Sequence, residues 1–388
     1  MTDGDFQGFA RLSGPAGVRN HLLVLGTCGL NASGAKKIAL SLPESKLVVS
    51  PYGRGQVSAD KSFHQRMLTG FSCHPNVGGV VILAPDNGVR DLYANAVQKS
   101  GRLCSALSLE ECQEDGELIV ETAIEQGKAI QHSLNTHRRQ SIPIADLIVA
   151  AECGHSDASS GIVSNPLVGA YADRLTECGG RFVISETLEW TGTVDALVQR
   201  CATNETAERL QALYAIRRHI AEKAGINITL GNPGPQNHAG GLTTLEEKSF
   251  GAVMKGGTGT IVGALDQGQA IAGKSGLYFM DTPTLSPESI SSMVAARAQI
   301  VLFTTGQGNP YGSALAPTVK ITANPITVSR LPRQIDFDAS RAFLGEIPLN
   351  DCLPPFEELI IKVANGETTW SEKLDEGEEV ISRQLASI

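Results

Sequence analysis

One short stretch of the sequence concentrates side chains that can carry out acid–base or metal chemistry. Residues 151–161 read AECGHSDASSG and contain Glu152, Cys153, His155 and Asp157. Thiolates, imidazoles and carboxylates bind transition metals, and a neutral imidazole can accept a proton near physiological pH. In the alternative interpretation, the Ser-Asp pair caps the helix that follows and the cysteine is a small buried hydrophobic residue. The residues alone leave both interpretations open.

The segment 232–259 offers a second group of polar side chains. It combines proline turns with a Gly-Gly pair, and it carries Asn237, His238 and Lys248. Its Thr-x-x-Glu pattern is typical of a capping box, so part of the segment is structural. The density of Gly and Pro nevertheless indicates that the backbone passes close to a ligand.

Residues 300–321 predict a buried strand that continues into a Gly-rich loop, which begins with Thr304, Thr305 and Gly306. Backbone N–H groups in such a loop can hold an anion. The stretch contains neither a P-loop pattern nor G-x-G-x-x-G, so a carboxylate ligand is favoured over a nucleotide.

Two polar residues near the N-terminus, Arg19 and Asn20, directly precede the predicted strand 21–27. A guanidinium at that place can bind a substrate carboxylate bidentately. An arginine in a surface turn is the alternative, and the position alone does not decide between them.

The elements that must position these residues are short apolar runs separated by stretches of helical periodicity, such as 33–42, 57–70 and 89–100. The runs are 21–27, 46–50, 79–84, 144–151, 181–185, 260–264, 277–281 and 299–305. Apolar strands that alternate with helices indicate parallel sheets covered on both faces. We therefore predict an α/β fold in which mainly parallel sheets are flanked by helices, Rossmann-like in organisation. In such sheets ligands bind outside the carboxyl ends of the strands, where most of the motifs fall.

The chain length and one helix-breaking segment predict two domains. At 388 residues the chain exceeds the roughly 250–300 residues of a single core. Residues 110–139 are charged and helix-like, and the Ser-Ile-Pro sequence at 141–143 ends that helix because the residue before a proline avoids the helical region. We predict an N-terminal α/β domain at 8–138 and a C-terminal α/β domain of catalytic type at 140–388.

Composition excludes several classes of function. A net charge of −9 argues against a nucleic-acid partner, which would require clustered Lys and Arg. No apolar run approaches the roughly 18 residues of a membrane span, and the acidic N-terminus is unlike a signal peptide. The eight cysteines are scattered without a C-x-x-C pair, which is typical of reduced thiols. We expect a cytoplasmic protein.

Six stretches together resemble the altronate/galactarate dehydratase family, which includes the large subunit of sulfolactate sulfo-lyase. They are GVRN (17–20), HPNVGGV (74–80), ECGHSD with SGIVSNP (152–166), NPGPQNHAGGLTTLEEKSFG (232–251), FTTGQGNPYG (303–312) and IDFDA (335–339). The resemblance implies removal of water, or sulfite, from the position β to the carboxylate of a polyhydroxy or sulfonated acid. It also implies dependence on iron or another divalent metal.

The chain departs from the family pattern at three positions where the resemblance places cysteines, because Leu30, Arg54 and Asn87 stand there. Three thiolates at neighbouring strand ends would suit iron or an iron–sulfur cluster, so we expect no such cluster here. A divalent metal, iron or manganese, would then depend on Cys153 and on Cys28, which lies two residues from the first of these positions.

A further departure is His155, which replaces the glycine usual in the family's Cys-Gly-Gly-Ser-Asp. It is either a replacement base or metal ligand, or a side chain that fills the space of a lost cluster.

We predict a hydro-lyase that abstracts the α-proton of a small polyhydroxy or sulfonated carboxylic acid and eliminates the β-group. His155 would be the base, with Glu152 and Asp157 beside it and Arg54 as a cation that assists the leaving group. The predicted substrate-binding residues are Arg19, Asn20, Ser156, Asn237, His238, Lys248, Thr304, Thr305 and Gly306.

An alternative is a divergent paralogue, either an isomerase or epimerase or a non-catalytic subunit that binds sugar acids. Besides the hydroxy-acid substrate, we expect a small subunit with an antifreeze-like (SAF) domain as a partner, together with assembly into a homo-oligomer.

Overall fold

The structure, a computed structural model that describes residues 4–388, contains thirteen strands in three sheets. The strands are β1 (Asp5–Gly8), β2 (His21–Gly26), β3 (Lys46–Val49), β4 (Val77–Ala84), β5 (Leu103–Ser108), β6 (Gln140–Pro143), β7 (Ile148–Cys153), β8 (Arg181–Ile184), β9 (Ile261–Leu265), β10 (Gly276–Met280), β11 (Ile300–Thr304), β12 (Thr318–Thr322) and β13 (Phe337–Asp338).

Two of the three sheets are parallel throughout. One has four strands in the order β3-β2-β4-β5, and the other has seven in the order β13-β12-β11-β7-β8-β10-β9. Strands β1 and β6 form a separate antiparallel pair. The predicted α/β class with mainly parallel sheets is therefore confirmed, while the more specific Rossmann-like description stays a prediction.

Helices connect the strands and cover the sheets. They are α1 (Ala32–Ser41), α2 (Ser58–Ser72), α3 (Asn87–Lys99), α4 (Gly116–Leu134), α5 (Asn165–Glu177), α6 (Val194–Gln199), α7 (Asn204–Lys223), α8 (Ile228–Gly231), α9 (Pro235–Ala239), α10 (Leu245–Val253), α11 (Ser286–Ala295), α12 (Pro325–Arg330), α13 (Ser340–Phe343), α14 (Leu353–Ala364) and α15 (Trp370–Lys373). Short 3₁₀ turns occupy Gly29–Asn31, Ile144–Asp146, Thr187–Trp190, Met254–Gly256 and Leu349–Cys352, and a π-helical turn occupies Ser160–Ser164.

The central strands form because their sequences are continuously apolar. Every residue of β4 (VGGVVILA) and of β7 (IVAAEC) is buried, as expected for a parallel sheet with helices on both faces. Strand β12 lies outside the predicted runs because its sequence, TVKIT, carries a lysine. That residue, Lys320, is buried and forms an ion pair with Glu376.

The predicted helix at 110–139 is shorter in the structure. Helix α4 begins after Asp115, whose side chain accepts the N–H groups of Glu117 and Leu118 and so caps the helix, and it ends at Leu134. The predicted run 144–151 likewise begins with a 3₁₀ turn, so that the strand itself starts at Ile148.

The two parallel sheets lie on either side of the predicted boundary at 138–140, but they share hydrophobic core. One buried cluster contains Leu25 of β2, Met67 of α2, Met293 of α11 and Phe303 of β11. Helices α2 and α11 pack closely, since a Cβ added at Gly70 would lie 2.3 Å from the carbonyl oxygen of Ala295. The division into two domains stays a prediction.

Each parallel sheet contains a point where the chain changes direction across the sheet. In the four-stranded sheet, β3 lies on one side of β2 and β4 on the other; in the seven-stranded sheet, β8 lies on one side of β7 and β11 on the other. Such switch points, at the carboxyl ends of the strands, are where open α/β sheets bind ligands. Among the described helices, none has the length and apolar character needed to cross a membrane.

Candidate functional site

A cluster of buried ionisable side chains lies at the carboxyl ends of β7 and β8. Glu152 and Cys153 end β7, Glu186 follows β8, and Glu189 lies on the 3₁₀ turn after it. Lys255 reaches the same place from the turn after α10. Since all five residues are at most 4% exposed, these charges act in a poorly solvated environment where electrostatic interactions are strong.

Two lysines supply the positive charge of this cluster. The Lys255 Nζ atom lies 2.6 Å from Glu186 Oε2 and 2.8 Å from Cys153 Sγ. The Lys248 Nζ atom lies 2.6 Å from Glu189 Oε1. Two ammonium groups therefore face two carboxylates, and such mutual pairing is what makes buried charges tolerable.

The ionisation of Glu186 and Lys255 follows from this pairing. Burial raises the pKa of Glu186, and the charge of Glu189 adds to the rise while Lys255 opposes it. Burial alone would lower the pKa of Lys255, but Cys153 and the neighbouring carboxylates hold that pKa well above its usual value. Lys255 is therefore a permanent positive charge.

Glu152 has a different environment from the paired carboxylates. Its Oε2 accepts hydrogen bonds from Ser289 Oγ at 2.7 Å and Ser185 Oγ at 3.3 Å, while its Oε1 has no partner among residues 4–388. Burial raises the pKa of Glu152 well above its usual value, and the charge of Glu186 adds to the rise. The carboxyl group therefore holds its proton more tightly than an ordinary glutamate does.

The backbone at this edge adopts unusual conformations. Glu186 has φ of +66°, in the left-handed region that costs a non-glycine residue on the order of 1–3 kcal/mol and is enriched at functional sites. Its N–H group donates to Thr282 Oγ1 at 2.9 Å, which fixes the conformation. The π-helical turn at Ser160–Ser164 is a second feature that is frequent near active sites.

Cys153, Glu186 and Glu189 form the one group of three ligand residues in the described chain that could hold a metal ion, with ligand atoms within 4.8 Å of one another. A thiolate and two carboxylates suit a transition metal by donor type. Lys255 Nζ, however, already contacts the sulfur and Glu186 Oε2. A divalent ion bound to the same atoms would repel this ammonium at contact distance. With Lys255 in place, the cluster does not fit a divalent metal, and the ammonium provides the positive charge instead.

Asp157, a predicted catalytic residue, organises the loops beside this cluster. Its Oδ1 accepts the N–H of Ser160 at 3.0 Å, and its Oδ2 accepts from Asn324 Nδ2 at 2.8 Å. A Cβ added at Gly306 would lie 2.2 Å from Asp157 Cγ, and one added at Gly240 would lie 2.6 Å from its Cβ. Asp157 therefore caps the following helix, as the alternative interpretation of the sequence proposed, and holds three segments together.

His155 lies outside the buried cluster. Its ring is exposed, and Nδ1 lies 2.8 Å from the carbonyl oxygen of Gly308. The residue has φ of +52°, a conformation that favours glycine, which explains why the resemblance places a glycine here. The structure thus gives His155 a position on the loop surface, and its role as the base stays a prediction.

The Gly-rich loop after β11 uses its N–H groups internally. The N–H of Thr305 donates to Ile321 O at 2.9 Å, that of Gly306 to His155 O at 3.2 Å, and that of Gly308 to Thr305 Oγ1 at 2.9 Å. Thr304 Oγ1 donates to Asn165 Oδ1 at 2.6 Å. These groups already have protein partners, and the anion-holding role of the loop stays a prediction.

Of the residues predicted in segment 232–259, only Lys248 contacts the buried cluster. Asn237 and His238 have other partners. Asn237 Nδ2 donates to Ser156 O at 2.9 Å, and His238 Nδ1 lies 2.9 Å from Leu242 O. These contacts fix the segment against the end of β7. Ser156 Oγ is buried and has no hydrogen-bond partner within the described residues.

Arg19 binds a carboxylate of the protein itself bidentately. Its Nε lies 2.7 Å from Glu372 Oε1, its Nη2 lies 2.9 Å from Glu372 Oε2, and its Nη1 donates to Val363 O at 2.9 Å. Asn20 Oδ1 accepts from Arg11 Nη1 at 2.9 Å. In these contacts both residues join segments of the fold, and their predicted role in substrate binding stays a prediction.

Arg54 and Cys28 lie at the carboxyl edge of the four-stranded sheet, whereas Cys153 ends β7 of the seven-stranded sheet. Arg54 is 83% exposed and its Nη2 is 3.3 Å from Asp86 Oδ2, while Cys28 Sγ donates to Asn31 Oδ1 at 3.1 Å. Cys28 is not part of the group of described residues that could hold a metal ion, and the predicted roles of Cys28 and Arg54 stay predictions.

Sequence reasoning missed Glu186, Glu189 and Lys255. A usable signal was present, because Glu186 directly follows the predicted strand 181–185 and Glu189 is three residues further, a spacing that puts both on one face of a helical turn. Lys255 lies in the Gly-rich segment already singled out, but no pattern connects it with Cys153.

Comparison with known proteins identifies the family of this chain. A sequence profile described as "D-galactarate/Altronate dehydratase, C-terminal" matches residues 144–387, and one described as "D-galactarate dehydratase/Altronate hydrolase, second domain" matches residues 8–135. The chain belongs to the galactarate/altronate dehydratase family. The family recognised from the sequence motifs is therefore confirmed.

Individual members of this family are similar over most of the chain. The (2R)-sulfolactate sulfo-lyase subunit beta of Chromohalobacter salexigens is 32% identical over 388 residues, covering 98% of each chain. The altronate dehydratase of Bacillus subtilis is 31% identical over 386 residues, covering 95% of this chain and 76% of its own. The galactarate dehydratase (L-threo-forming) of Escherichia coli is 29% identical over 315 residues, covering 78% of this chain and 59% of its own. The chain is accordingly a lyase, and the family suggests a divalent metal.

Proposed function

We propose that this lyase abstracts the α-proton of a small polyhydroxy or sulfonated carboxylic acid and eliminates the β-substituent, as water or sulfite. The observation that carries the proposal is the buried cluster of Lys255, Lys248 and their paired carboxylates at the carboxyl edge of the seven-stranded sheet. It adjoins the switch point of that sheet, where α/β folds place ligands.

Fixed positive charge is the first requirement of this reaction. Loss of an α-proton puts negative charge on the substrate carboxylate, and oriented cations in a poorly solvated site stabilise that charge without reorganisation. Lys255, which is 1% exposed, is such a cation. No step of the proposal depends on a metal at this cluster.

The second requirement is a base for the α-proton and an acid for the leaving group. Glu186 and Glu152 have different environments, which suit them to these two roles. Burial raises the pKa of Glu186, which makes this carboxylate a better base near neutral pH. The pKa of Glu152 is raised well above its usual value by burial, so its proton is available for the leaving group. Pairs of carboxyl groups in unequal environments are the usual arrangement of acid–base catalysts.

Substrate access requires movement of segment 232–259, because Glu186 and Lys255 are each 1% exposed. Lys248 lies at the outer edge of the cluster with 13% exposure, and its Nζ donates to Asn232 Oδ1 at 2.7 Å. In the proposal, this segment lifts to admit the acid and then closes to exclude water.

A second candidate is an isomerase or epimerase that returns the proton to the same carbanion without elimination. The replacement of the family's three cysteine positions by Leu30, Arg54 and Asn87 favours it, since the leaving group would then lack metal assistance. The Chromohalobacter relative is named as a subunit, and we propose that this chain also acts with a second, smaller subunit and forms a homo-oligomer.

The test is turnover of altronate, galactarate and (2R)-sulfolactate by chelator-treated protein, followed by formation of a keto acid or of sulfite. Glu152→Gln should lower turnover by roughly 100-fold or more with a nearly unchanged melting temperature. The matched control is Glu246→Gln, an exposed glutamate of α10, which should leave turnover at the wild-type level. Wild-type turnover in Glu152→Gln would remove this residue from the mechanism, and loss of all wild-type turnover with the chelator would contradict the role of Lys255.

A further inference from the structure

The carboxyl edge of the four-stranded sheet holds a cleft that the proposed lyase chemistry does not use. Its volume is about 270 Å³, slightly below the roughly 300–1,000 Å³ of pockets for drug-sized ligands. Its floor is formed by Thr27 and Cys28, which follow β2, and by Pro85, which follows β4. The cleft therefore lies at the switch point of this sheet.

One wall of the cleft is polar and cationic. Lys61, His64 and Gln65 project into it from one face of α2, and Arg54 comes from the loop after β3. Lys61 forms no ion pair within residues 4–388. The ion pair between Arg54 and Asp86 is exposed, and exposed pairs contribute little. Both cations can therefore bind an anion at small cost.

His64 adds a polar but uncharged group to this wall. The residue is buried, its Nε2 is hydrogen-bonded with Ser50 Oγ, and burial lowers its pKa to about 4. The imidazole is therefore neutral at physiological pH, and the positive charge of the cleft comes from Arg54 and Lys61.

The opposite wall is apolar. Val89, Leu92 and Tyr93 of α3 line it, at a spacing that puts them on one helix face. Leu92 is 43% exposed, so its side chain is accessible to the apolar surface of a ligand in the cleft. The two walls together require a ligand that is charged on one side and apolar on the other.

The lip of the cleft is held in place by residues near the C-terminus. Ile388 N donates to Gly55 O at 2.8 Å. The N–H groups of Gln384 and Leu385 donate to the two carboxylate oxygens of Asp60 at 3.0 and 2.9 Å. The cleft is therefore formed before a ligand arrives, which reduces the entropic cost of binding.

We propose that this cleft is a second ligand site, which binds a small organic anion with an apolar body. The anionic group faces Arg54 and Lys61, and the body lies against Val89 and Leu92. A polyhydroxy acid, the substrate type of the proposed lyase reaction, offers no apolar surface to this wall, so the two sites differ in ligand class.

Ligand-observed NMR and calorimetry on the full chain test the proposal with benzoate as the probe. Arg54→Gln and Lys61→Gln should each weaken benzoate binding by about three- to tenfold, the effect of one charge-assisted contact. Leu92→Asp should weaken it as well, at a position exposed enough for the variant to fold. The matched control is Lys37→Gln, an exposed lysine of α1, which should bind benzoate like the wild type.

Two further probes decide the ligand class. Benzamide has the shape of benzoate without the charge, and tartrate has the charge without the apolar body. Both should bind more weakly than benzoate. Tighter binding of tartrate, equal binding of benzamide, or undiminished benzoate affinity in the double variant Arg54→Gln/Lys61→Gln would each overturn the proposal.

Discussion

The seven-stranded sheet encloses charged groups at its carboxyl edge, whereas the four-stranded sheet leaves its carboxyl edge open as a cleft. Both sheets are parallel and both change strand direction at a central strand. At the closed edge, Lys255 is 1% exposed and contacts a carboxylate and a thiol. At the open edge, Arg54 is 83% exposed. The same topology thus presents two environments of opposite solvation.

The difference indicates that the strand order determines where a site lies, while the segments that cover the edge determine how far its charges are shielded from solvent. Segments 232–259 and 303–312 cover the closed edge and exclude water, so each charge there acts at low effective dielectric. The open edge is bordered by helices α2 and α3, and solvent weakens its charges. Strong preorganised charge suits catalysis, and exposed charge suits reversible binding.

The largest expected effect comes from removing the buried lysine. Lys255→Met leaves Glu186 without its ammonium partner, and breaking a buried pair costs about 3–5 kcal/mol of the free energy of unfolding. The same change at the open edge, Lys61→Met, should alter that free energy by about 0.5 kcal/mol or less. Urea denaturation of both variants measures the contrast. Equal losses of unfolding free energy in the two variants would show that the charges at the two edges do not differ in solvation.

The second largest effect is expected at Arg19, which connects the start of β2 with residues 363–372. Arg19→Ala removes the bidentate contact with Glu372 and three contacts with backbone carbonyls. We expect a loss of about 3 kcal/mol in the free energy of unfolding. Because these partners belong to the fold, KM should stay near the wild-type value. Arg19→Lys keeps the charge but loses the planar geometry that permits bidentate binding. Its free energy of unfolding should lie between those of the wild type and Arg19→Ala. A large rise in KM for Arg19→Ala, with an unchanged free energy of unfolding, would show instead that Arg19 binds the substrate.

The smallest effect is expected at His155. His155→Gly relieves a left-handed conformation worth on the order of 1 kcal/mol and loses one hydrogen bond of similar value, so the melting temperature should change little. Turnover should remain within a few-fold of wild type, because the ring lies outside the buried cluster. Loss of turnover by roughly 100-fold, the scale of general-base removal, would identify His155 as the base.

The sequence predicted those features that depend on neighbours along the chain. The apolar runs located the central strands, and Glu152 and Cys153 were found because they directly end one of them. The rest of the site depends on contacts between distant positions. Lys255 is 102 residues from Cys153, and Glu372 is 353 residues from Arg19. No local pattern connects such pairs, so Arg19 was assigned to the substrate and Lys255 was not singled out.

Helix-cap residues show which part of a residue's role the local sequence predicts and which part it does not. Asp157 of the Ser-Asp pair and Thr244 of the Thr-x-x-Glu pattern both form the helix caps that their sequences favour. Asp157 nevertheless has a second role that only the fold defines, since it also contacts the loops at Gly240 and Gly306. Local chemistry was predictable, and convergence of segments was not.

Exchange of the substrate α-proton in D₂O, followed by NMR, tests the central claim most directly. The account predicts that Glu186→Gln lowers the exchange rate per folded molecule by roughly 100-fold or more, while His155→Gln exchanges the proton at a rate within a few-fold of wild type. Rapid exchange in Glu186→Gln together with lost exchange in His155→Gln would contradict the account and move the base from the buried cluster to the surface loop.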